Sequence, residues 1–207
     1  MLKKERLKLK LLSLKGRNNM IKERPRKKEI GTEIKQDIFV NRANNYAYLA
    51  IGSNLGKKKN NIEKSKYLLQ INGVLVDKVS SDYESLSWPD NRNPKFINIV
   101  IKVRTHLNAY NLLQLCNKIE KLIGRRRNIK NEPRTCDIDI IDYNGLVTKR
   151  TNKNKLILPH PKVSRRNFVL LPLFEVSSHW THPKTKINIK KLISSLNIKD
   201  LRTIKQI

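Results

Sequence analysis

Cysteine is scarce in this chain of 207 residues, where only Cys116 and Cys136 occur. Two cysteines cannot form a disulfide framework, and no Cys-x-x-Cys pair or Cys/His quartet is present for zinc, so a reducing compartment is predicted. Long apolar runs are also missing, because the most apolar stretch, residues 168–176, is interrupted by Pro172 and Glu175. A membrane helix needs roughly 20 apolar residues, so we expect a cytoplasmic protein that does not enter a membrane.

Acidic residues are few as well, since 17 Asp and Glu face 45 Lys and Arg, for a formal net charge of +28. Such an excess is typical of nucleic-acid binding, but here it is spread along the chain without a single basic block. Lys, Asn and Ile, which AT-rich codons encode, are all abundant, so mutational bias explains much of the excess. The charge still attracts anionic substrates.

The first 45 residues have a different composition from the rest, with 14 Lys or Arg and 5 Asp or Glu. We predict a basic, disordered tail over 1–45 and one folded domain over 46–207. A weak amphipathic helix, a poor transit peptide and a true start at Met20 are the alternatives left open.

Hydrophobic periodicity between residues 46 and 143 predicts four strands and two helices in the order β-α-β-β-α-β. This is the order of the ferredoxin-like split βαβ sandwich, an α+β fold in which both helices pack on one face of an antiparallel sheet. The open face is then free to carry ligands and extra segments. The predicted strands are 46–51, 74–83, 96–103 and 137–143, and the predicted helices are 60–71 and 108–123.

Turn and cap residues refine this pattern. Asn108 can cap the second helix and Gly124 can stop it, and Asn144-Gly145 predicts a hairpin turn into a strand at 146–148. Two further helices are predicted around residues 168–176 and 187–196.

The segment Asp137-Ile138-Asp139 lies at the start of the last predicted strand. Residues i and i+2 of a strand point to the same face, so the two carboxylates should lie about 6–7 Å apart while Ile138 enters the core. Like charges at that distance repel unless cations lie between them. Carboxylate oxygens suit Mg²⁺, which takes its remaining ligands from water and phosphates. Alone, the pair is equally typical of a solvated strand face.

Arginines precede the two aspartates. The run Arg125-Arg126-Arg127 follows Gly124, and Arg134 lies three residues before Asp137. Guanidinium groups bind phosphate oxygens bidentately, so clustered Arg and paired Asp together indicate a metal-triphosphate site, although a basic loop alone would be a solvated surface. The P-loop, Rossmann and protein-kinase signatures are absent.

A second cluster, Leu158-Pro159-His160-Pro161, is followed by Arg165-Arg166-Asn167-Phe168. His160 lies in a rigid turn between prolines and could donate to a phosphate, although alone it would be interpreted as structural. Phe96 and Phe168 could form two sides of a slot for a flat heterocycle, although alone both would be interpreted as core residues. Asn98 lies beside Phe96 on the more polar face of its strand.

Five segments of the chain, taken together and in their order along it, resemble the 6-hydroxymethyl-7,8-dihydropterin pyrophosphokinase family of the folate pathway. The resemblance covers about residues 46–183, and its specificity lies in the joint match, because each segment alone is weak. The segments are Ala-Ile-Gly-Ser-Asn-Leu-Gly at 50–56, Phe-Ile-Asn at 96–98, Glu120 with Gly-Arg-Arg-Arg at 124–127, Pro-Arg-Thr-Cys-Asp-Ile-Asp-Ile at 133–140, and Leu-Pro-His-Pro at 158–161 with Arg-Asn-Phe-Val-Leu-Leu-Pro-Leu at 166–173.

The resemblance implies an enzyme that transfers pyrophosphate from ATP to the pterin hydroxymethyl group, giving AMP and the pterin diphosphate, with two Mg²⁺ ions. It assigns both metals to Asp137 and Asp139, which form the catalytic set with Arg125 and Arg134. On the nucleotide side it places Asn117, Glu120, Arg127, Ile140, His160 and Arg166. On the pterin side it places Ser85, Trp88, Phe96, Asn98 and Phe168.

Two loops depart from the family pattern. Residues 85–89 read Ser-Leu-Ser-Trp-Pro where the family usually has Thr-Pro-Pro-x-Gly. The loop between Arg127 and Arg134 is one residue short and has Asn131 and Glu132 where a tryptophan is expected. Both loops seal the site in the family, and Arg127 lies on the one that closes over ATP. We therefore predict the same reaction with reduced turnover.

Two other interpretations stay open. A ferredoxin-like nucleic-acid-binding module would use an aromatic, basic sheet face, but the ribonucleoprotein signature is absent and paired Asp would repel phosphate without metal. A degraded relative would retain binding alone, although Asp137, Asp139, Arg134 and His160 are intact. We expect small-molecule substrates, no specific nucleic acid, no membrane and a monomer.

Overall fold

Six strands and five α-helices are formed by residues 45–87, 90–125, 132–149 and 156–207, which are the residues that this computed structural model describes. The predicted tail lies outside them except for Asn45, which already begins the first strand. The strands are β1 Asn45–Ser53, β2 Val74–Val79, β3 Tyr83–Ser85, β4 Phe96–Thr105, β5 Asp137–Tyr143 and β6 Ile204–Gln206. The helices are α1 Lys58–Ile71, α2 Ala109–Leu122, α3 Asn167–Val176, α4 Ile189–Ser194 and α5 Ile198–Leu201.

All six strands belong to one antiparallel sheet, in the order β5-β1-β4-β3-β6, with β2 also paired to β4. The two central strands, β1 and β4, pair along the whole of β1, from Asn45 opposite Thr105 to Ser53 opposite Ile97. The α+β class and the antiparallel sheet predicted from the sequence are confirmed.

The predicted strand 74–83 is divided into β2 and β3, because Ser80 takes part in the sheet through its side chain. Its backbone N–H donates to the Val100 carbonyl at 3.0 Å, but the Val100 N–H donates to Ser80 Oγ, also at 3.0 Å. A hydroxyl therefore replaces the carbonyl that would continue the ladder. The pairing of β2 with β4 also shifts by one residue between Val76 and Lys78.

The sheet has an apolar core on each face. On one face, alternate residues of β4 pack with α1 and α2, as predicted, and Ile99, Ile101, Leu112 and Ile119 are among the buried members. On the other face, Val100 and Ile141 pack with α3, including Leu170 and Leu173. Because α3 covers only part of this second face, the end of the sheet that carries Phe96 and Asn98 remains open to the cavity described below.

Both ends of α2 follow the predicted cap residues. The Asn108 side chain accepts from the Asn111 N–H at 2.9 Å, and Gly124 adopts a φ of +91° just after the helix, a conformation that favours glycine. The apolar spacing that includes Leu112 and Ile119 also predicts a buried Leu122, but this last residue of the helix is 63% exposed.

A bulge in β5 changes which face its residues occupy. Ile140 lies opposite Leu49 and Asp142 opposite Tyr48, so Ile141 is an extra residue. Before the bulge, Ile138 and Ile140 enter the first core. Strand alternation therefore directs Asp137 and Asp139 to the opposite, open face.

The predicted turn at Asn144-Gly145 is confirmed, with φ values of +50° and +68°, but the predicted strand at 146–148 is wrong. The edge of β5 is occupied instead by a later segment, because the His160 N–H donates to the Ile141 carbonyl at 2.9 Å. Thr148 bonds to that same segment, its N–H donating to the Leu158 carbonyl at 2.8 Å.

No helix among the described residues is long and apolar enough to cross a membrane.

Candidate active site

A cavity of about 750 Å³ opens on the second face of the sheet, where β4 and β5 contribute Asn98, Asp137 and Asp139, and β1 contributes the small residues Ala50 and Gly52. Four cationic and three acidic side chains line it, so it is a charged cleft. Eight of the residues predicted for the site line this cavity: Ser85, Phe96, Asn98, Arg134, Asp137, Asp139, Arg166 and Phe168.

The two predicted metal ligands lie side by side at one end of the cavity, each within reach of arginines. Asp137 Oδ1 accepts from Arg125 Nη1 at 2.6 Å, and its Oδ2 lies 3.3 Å from Arg134 Nη1. Asp139 Oδ2 accepts from Arg166 Nη1 at 2.7 Å. Arg125, Arg134 and Arg166, which come from three different segments, therefore converge on one carboxylate pair.

Glu120 is buried beneath this pair and holds it in position. Its carboxylate makes a close ion pair with Arg125, and Oε1 also accepts from the Ile138 N–H at 2.8 Å. Glu120 is 3% exposed, so its side chain fixes Arg125 and the start of β5 from below. A contact between Glu120 and the nucleotide, which the resemblance implies, stays a prediction.

Two other residues predicted for the nucleotide lie away from the large cavity. Asn117 lines a separate cavity of about 310 Å³ on the surface of α2, with Gln114, Lys118, Lys121 and Leu122. The side chain of Ile140 is 4% exposed and packs in the first core, so its main chain would have to make any contact with a ligand.

His160 reaches the carboxylate pair from the segment beside β5. Its Nε2 lies 3.6 Å from Asp139 Oδ2, and its Nδ1 accepts from the Lys162 N–H at 3.2 Å. Burial lowers the pKa of His160, Asp139 opposes that shift, and Arg166 adds to it. A neutral imidazole with its proton on Nε2 fits both contacts, and it places a donor beside the carboxylate pair.

The other end of the cavity is aromatic. The Arg134 guanidinium lies 5.5 Å from the Phe96 ring centroid, and the Arg166 guanidinium lies 5.5 Å from that of Phe168. Each ring is therefore next to an arginine that also contacts the carboxylate pair. This arrangement joins an apolar slot to a charged end in a single cavity.

A glycine makes room for the amide between the two ends. A Cβ at Gly52 would lie 2.9 Å from Asn98 Oδ1 and 3.5 Å from Phe96 Cδ1. The Asn98 amide in turn donates from Nδ2 to Ser85 Oγ at 2.9 Å. Asn98 is thus held by Ser85 and lies directly over Gly52.

Asn54 has no individual role predicted from the sequence, but it joins three segments around the cavity. Its Oδ1 accepts from the Arg134 N–H at 2.7 Å, and its Nδ2 donates to Ser87 Oγ and to the Pro94 carbonyl, each at 3.1 Å. The side chain is 3% exposed. The only signal in the sequence is a polar residue immediately after a buried strand, because its partners are distant in the chain.

Other residues that sequence reasoning missed line the cavity without a predicted role. Among them are Lys162, Arg165, Asn167, Asp200 and Thr203. Two predicted residues, Trp88 and Arg127, lie outside the described residues, and so does Asn131.

The carboxylate pair has the chemistry of a site for Mg²⁺. No group of three or more His, Cys, Asp and Glu side chains capable of holding a metal is found among the described residues, so the protein would supply two carboxylates. Mg²⁺ is commonly held by one or two carboxylates, with waters and substrate phosphates completing its octahedron. Asp137 and Asp139, which lie on a cavity wall beside Arg134 and Arg166, fit that pattern.

Comparison with known proteins gives one consistent family. Residues 48–178 match the family model described as 7,8-dihydro-6-hydroxymethylpterin-pyrophosphokinase (HPPK). The 2-amino-4-hydroxy-6-hydroxymethyldihydropteridine pyrophosphokinase of Bacillus subtilis is 39% identical over 134 residues, which are 64% of this chain and 78% of that protein. The folic acid synthesis protein FOL1 of Dictyostelium discoideum is 39% identical over 152 residues, which are 73% of this chain and 22% of that protein.

Solved structures share the fold. The crystal structure of wild-type HPPK-DHPS from Plasmodium falciparum superposes with a TM-score of 0.58 at 15% identity, over 72% of this chain and 44% of that one. Another HPPK-DHPS crystal structure, in complex with substrates, gives a TM-score of 0.59 over 78% of this chain and 46% of that one. The chain thus spans less than half of these structures, and only about a fifth of the Dictyostelium protein.

Proposed function

The chain belongs to the 7,8-dihydro-6-hydroxymethylpterin-pyrophosphokinase family, and we propose that it transfers pyrophosphate from ATP to 6-hydroxymethyl-7,8-dihydropterin. The products are AMP and the pterin diphosphate, an intermediate in folate biosynthesis. The observation that carries this proposal is the cavity with two different ends. Paired carboxylates and converging arginines lie at one end, and two aromatic rings with a hydrogen-bonding amide lie at the other.

The charged end would hold the triphosphate. Asp137 and Asp139 would hold two Mg²⁺ ions, which neutralise phosphate charge and align the reacting oxygens when bound. Arg125, Arg134 and Arg166, now bonded to these carboxylates, lie where they can turn to phosphate oxygens. His160 would donate its Nε2 proton to a phosphate oxygen.

The aromatic end would hold the pterin. Phe96 and Phe168 would enclose the flat ring, and the amide of Asn98, held by Ser85, would bond to its polar edge. Because this slot opens directly onto the carboxylate pair, a hydroxymethyl group on the ring would point toward the β-phosphorus. Placing the two reactants in contact in this way lowers the entropic part of the barrier.

The reaction is an in-line displacement. The hydroxymethyl oxygen forms a bond to the β-phosphorus, the bond from that phosphorus to the oxygen bridging it to the α-phosphorus breaks, and AMP leaves with that oxygen. The hydroxyl proton is released to solvent. The protein contributes positioning and neutralisation of the charge that develops on the phosphate oxygens, which are the main components of phosphoryl-transfer catalysis.

Finer points of architecture belong to the same proposal. The order β5-β1-β4, with β2 and β3 together on the outer side of β4, supports the ferredoxin-like arrangement. A folded domain over 46–207 preceded by a basic tail, and a monomeric state, stay predictions. The nucleic-acid-binding alternative is not favoured, because two aspartates occupy the open face that it would use and α3 covers much of the rest.

The decisive experiment measures AMP release from ATP with Mg²⁺ and 6-hydroxymethyl-7,8-dihydropterin. We expect release only when the pterin is present, and we expect Asp137→Ala and Asp139→Ala to abolish it while the circular dichroism spectrum stays unchanged. Asp77→Ala is the matched control, because Asp77 also pairs with one arginine, Arg104, but on an exposed surface. Pterin-independent release, or full activity in both cavity variants, would overturn the proposal.

A further inference from the structure

One carboxamide connects the aromatic slot to the last ten residues of the chain. Asn167 Oδ1 accepts from the Phe168 N–H at 2.7 Å, while its Nδ2 donates to the Asp200 carbonyl at 2.5 Å and to Thr203 Oγ1 at 3.3 Å. Asn167 is 8% exposed. N–H groups in the first turn of a helix have no partner within the helix, so Asn167 both satisfies the Phe168 N–H and attaches it to a distant segment.

That segment, residues 198–207, is called the strap here because it also contacts the opposite side of the cavity. Ile204 pairs with Ser85 where β6 joins β3, and the Ile207 N–H donates to the Asp82 carbonyl at 2.9 Å. Ser85 holds the amide of Asn98. The strap therefore runs from the Phe168 side of the slot to the side formed by Phe96 and Asn98.

The hydroxyl of Thr203 closes the connection. Thr203 Oγ1 donates to the Asp200 carbonyl at 2.7 Å and accepts from Asn167, and the next residue, Ile204, begins the strand that pairs with Ser85. Asp200 and Thr203 themselves line the cavity. In the described part of the chain, none of the ion pairs at the phosphate end involves a strap residue.

We infer that Asn167 and Thr203 are positioning residues that set the spacing of the aromatic slot through the strap. They act on the binding of the flat ring and leave the binding of the nucleotide unaffected. The inference rests on the proposed function, because it takes the slot between Phe96 and Phe168 as the pterin site. It assigns a role to a segment beyond residue 178, where the match to the family model ends.

The test compares the binding of the two substrates, the pterin and ATP, in variants of Asn167 and Thr203. Asn167→Ala removes both the bond to the Phe168 N–H and the bonds to the strap. Thr203→Val removes the hydroxyl at nearly constant shape, and Thr203→Ser retains it. Ser177→Ala is the matched control, because it removes the bond from Tyr48 OH to Ser177 Oγ, 3.0 Å long, just after the other end of α3. Pterin and ATP dissociation constants are measured separately by calorimetry, the former with a non-hydrolysable ATP analogue and Mg²⁺ present, beside KM for each substrate.

A neutral hydrogen bond contributes up to about tenfold in an equilibrium constant. We expect Asn167→Ala and Thr203→Val to weaken pterin binding about fivefold to tenfold, with ATP binding unchanged and Thr203→Ser close to the parent. Equal losses for both substrates, or the same pterin loss in Ser177→Ala, would overturn the inference, and so would unchanged pterin binding. If the parent chain binds the pterin but releases no AMP, the proposed reaction fails while the positioning role is still measured by binding.

Discussion

At the scale of single residues, Gly52 lies so close to the Asn98 amide that no room is left for a methyl group between them. An alanine there would place its Cβ 2.9 Å from Asn98 Oδ1, closer than real Cβ contacts allow, so the Asn98 amide must move. We expect Gly52→Ala to raise the pterin KM about tenfold, because one hydrogen bond to the pterin edge is lost, and to leave the ATP KM nearly unchanged. Steady-state kinetics with each substrate varied will show this, and an unchanged pterin KM would contradict it.

Asn54 gives a second prediction at this scale. Asn54→Ala leaves the Arg134 N–H without its buried acceptor and removes one of the two bonds of Ser87 Oγ. We therefore expect a loss of about 2 kcal/mol in the free energy of unfolding and a larger loss of kcat than in the control variant described below. Denaturant unfolding and kinetics measure the two effects. The control is Asn61→Ala, which loses bonds to Ser53 and Leu55, the two neighbours of Asn54 in the chain, but none to Arg134. Equal kcat in both variants would argue against a role for Asn54 in placing Arg134.

Residue patterns predicted the site best where the partners are close in sequence. The faces of Asp137 and Asp139 follow from strand alternation alone, and the position of Asn98 beside Phe96 follows in the same way. The roles of Asn54, Glu120 and Asn167 could not be predicted, since each depends on a partner from another segment: Arg134, Ile138 and Thr203, respectively. Tertiary contacts of polar side chains leave no periodic signal in the sequence.

At the scale of elements, periodicity identified β1, β4, β5, α1 and α2, but it missed features that polar side chains create. The division of strand 74–83 depends on one hydroxyl, that of Ser80, which takes the place of a ladder carbonyl. The strand expected at 146–148 is replaced by the segment with His160, because His160 bonds to Ile141 on the same edge. A hairpin turn sets the direction of the outgoing chain, whereas competition for the sheet edge decides which segment pairs.

The junction between β5 and the segment after α3 gives a prediction about pH. The Asp142 carboxylate accepts from Trp180 Nε1 at 2.8 Å and from the Gly145 N–H at 2.9 Å, yet burial raises its pKa overall. A carboxyl with a raised pKa in the folded state contributes stability below its unfolded pKa, and this contribution is lost as pH rises through the folded pKa.

We therefore compare the free energy of unfolding of the parent chain with that of Asp142→Asn. We expect the parent's value, relative to the variant's, to fall as pH rises from below the usual Asp pKa to above the raised pKa of Asp142. Urea unfolding of both proteins across the acidic range measures this difference, and other carboxyls cancel because both proteins share them. His182, whose charged form would favour ionised Asp142, lies nearby, so His182→Gln serves as a background in which the same difference should persist. A difference that grows with pH would show that the hydrogen bonds outweigh burial.

At the scale of the whole molecule, the excess of basic residues and the cavity have to be considered together. The charge of +28 is spread over the chain, but four cations, Arg134, Lys162, Arg165 and Arg166, are gathered in the cavity wall against three aspartates. The proposed substrates differ in charge, since ATP is a polyanion and the pterin is neutral. Electrostatic attraction should therefore act on one substrate and leave the other unaffected.

We expect the ATP KM to rise several-fold between low salt and about 0.3 M NaCl, where the Debye length shortens to less than about 10 Å, while the pterin KM stays nearly constant. Arg165→Gln should reduce the salt dependence of the ATP KM, because Arg165 lines the cavity and is exposed. Lys190→Gln removes the same charge from an exposed position on α4 outside the cavity, and it should change the slope much less. If both variants reduce the slope equally, the diffuse charge of the surface attracts ATP, and the cavity wall has no special part in it.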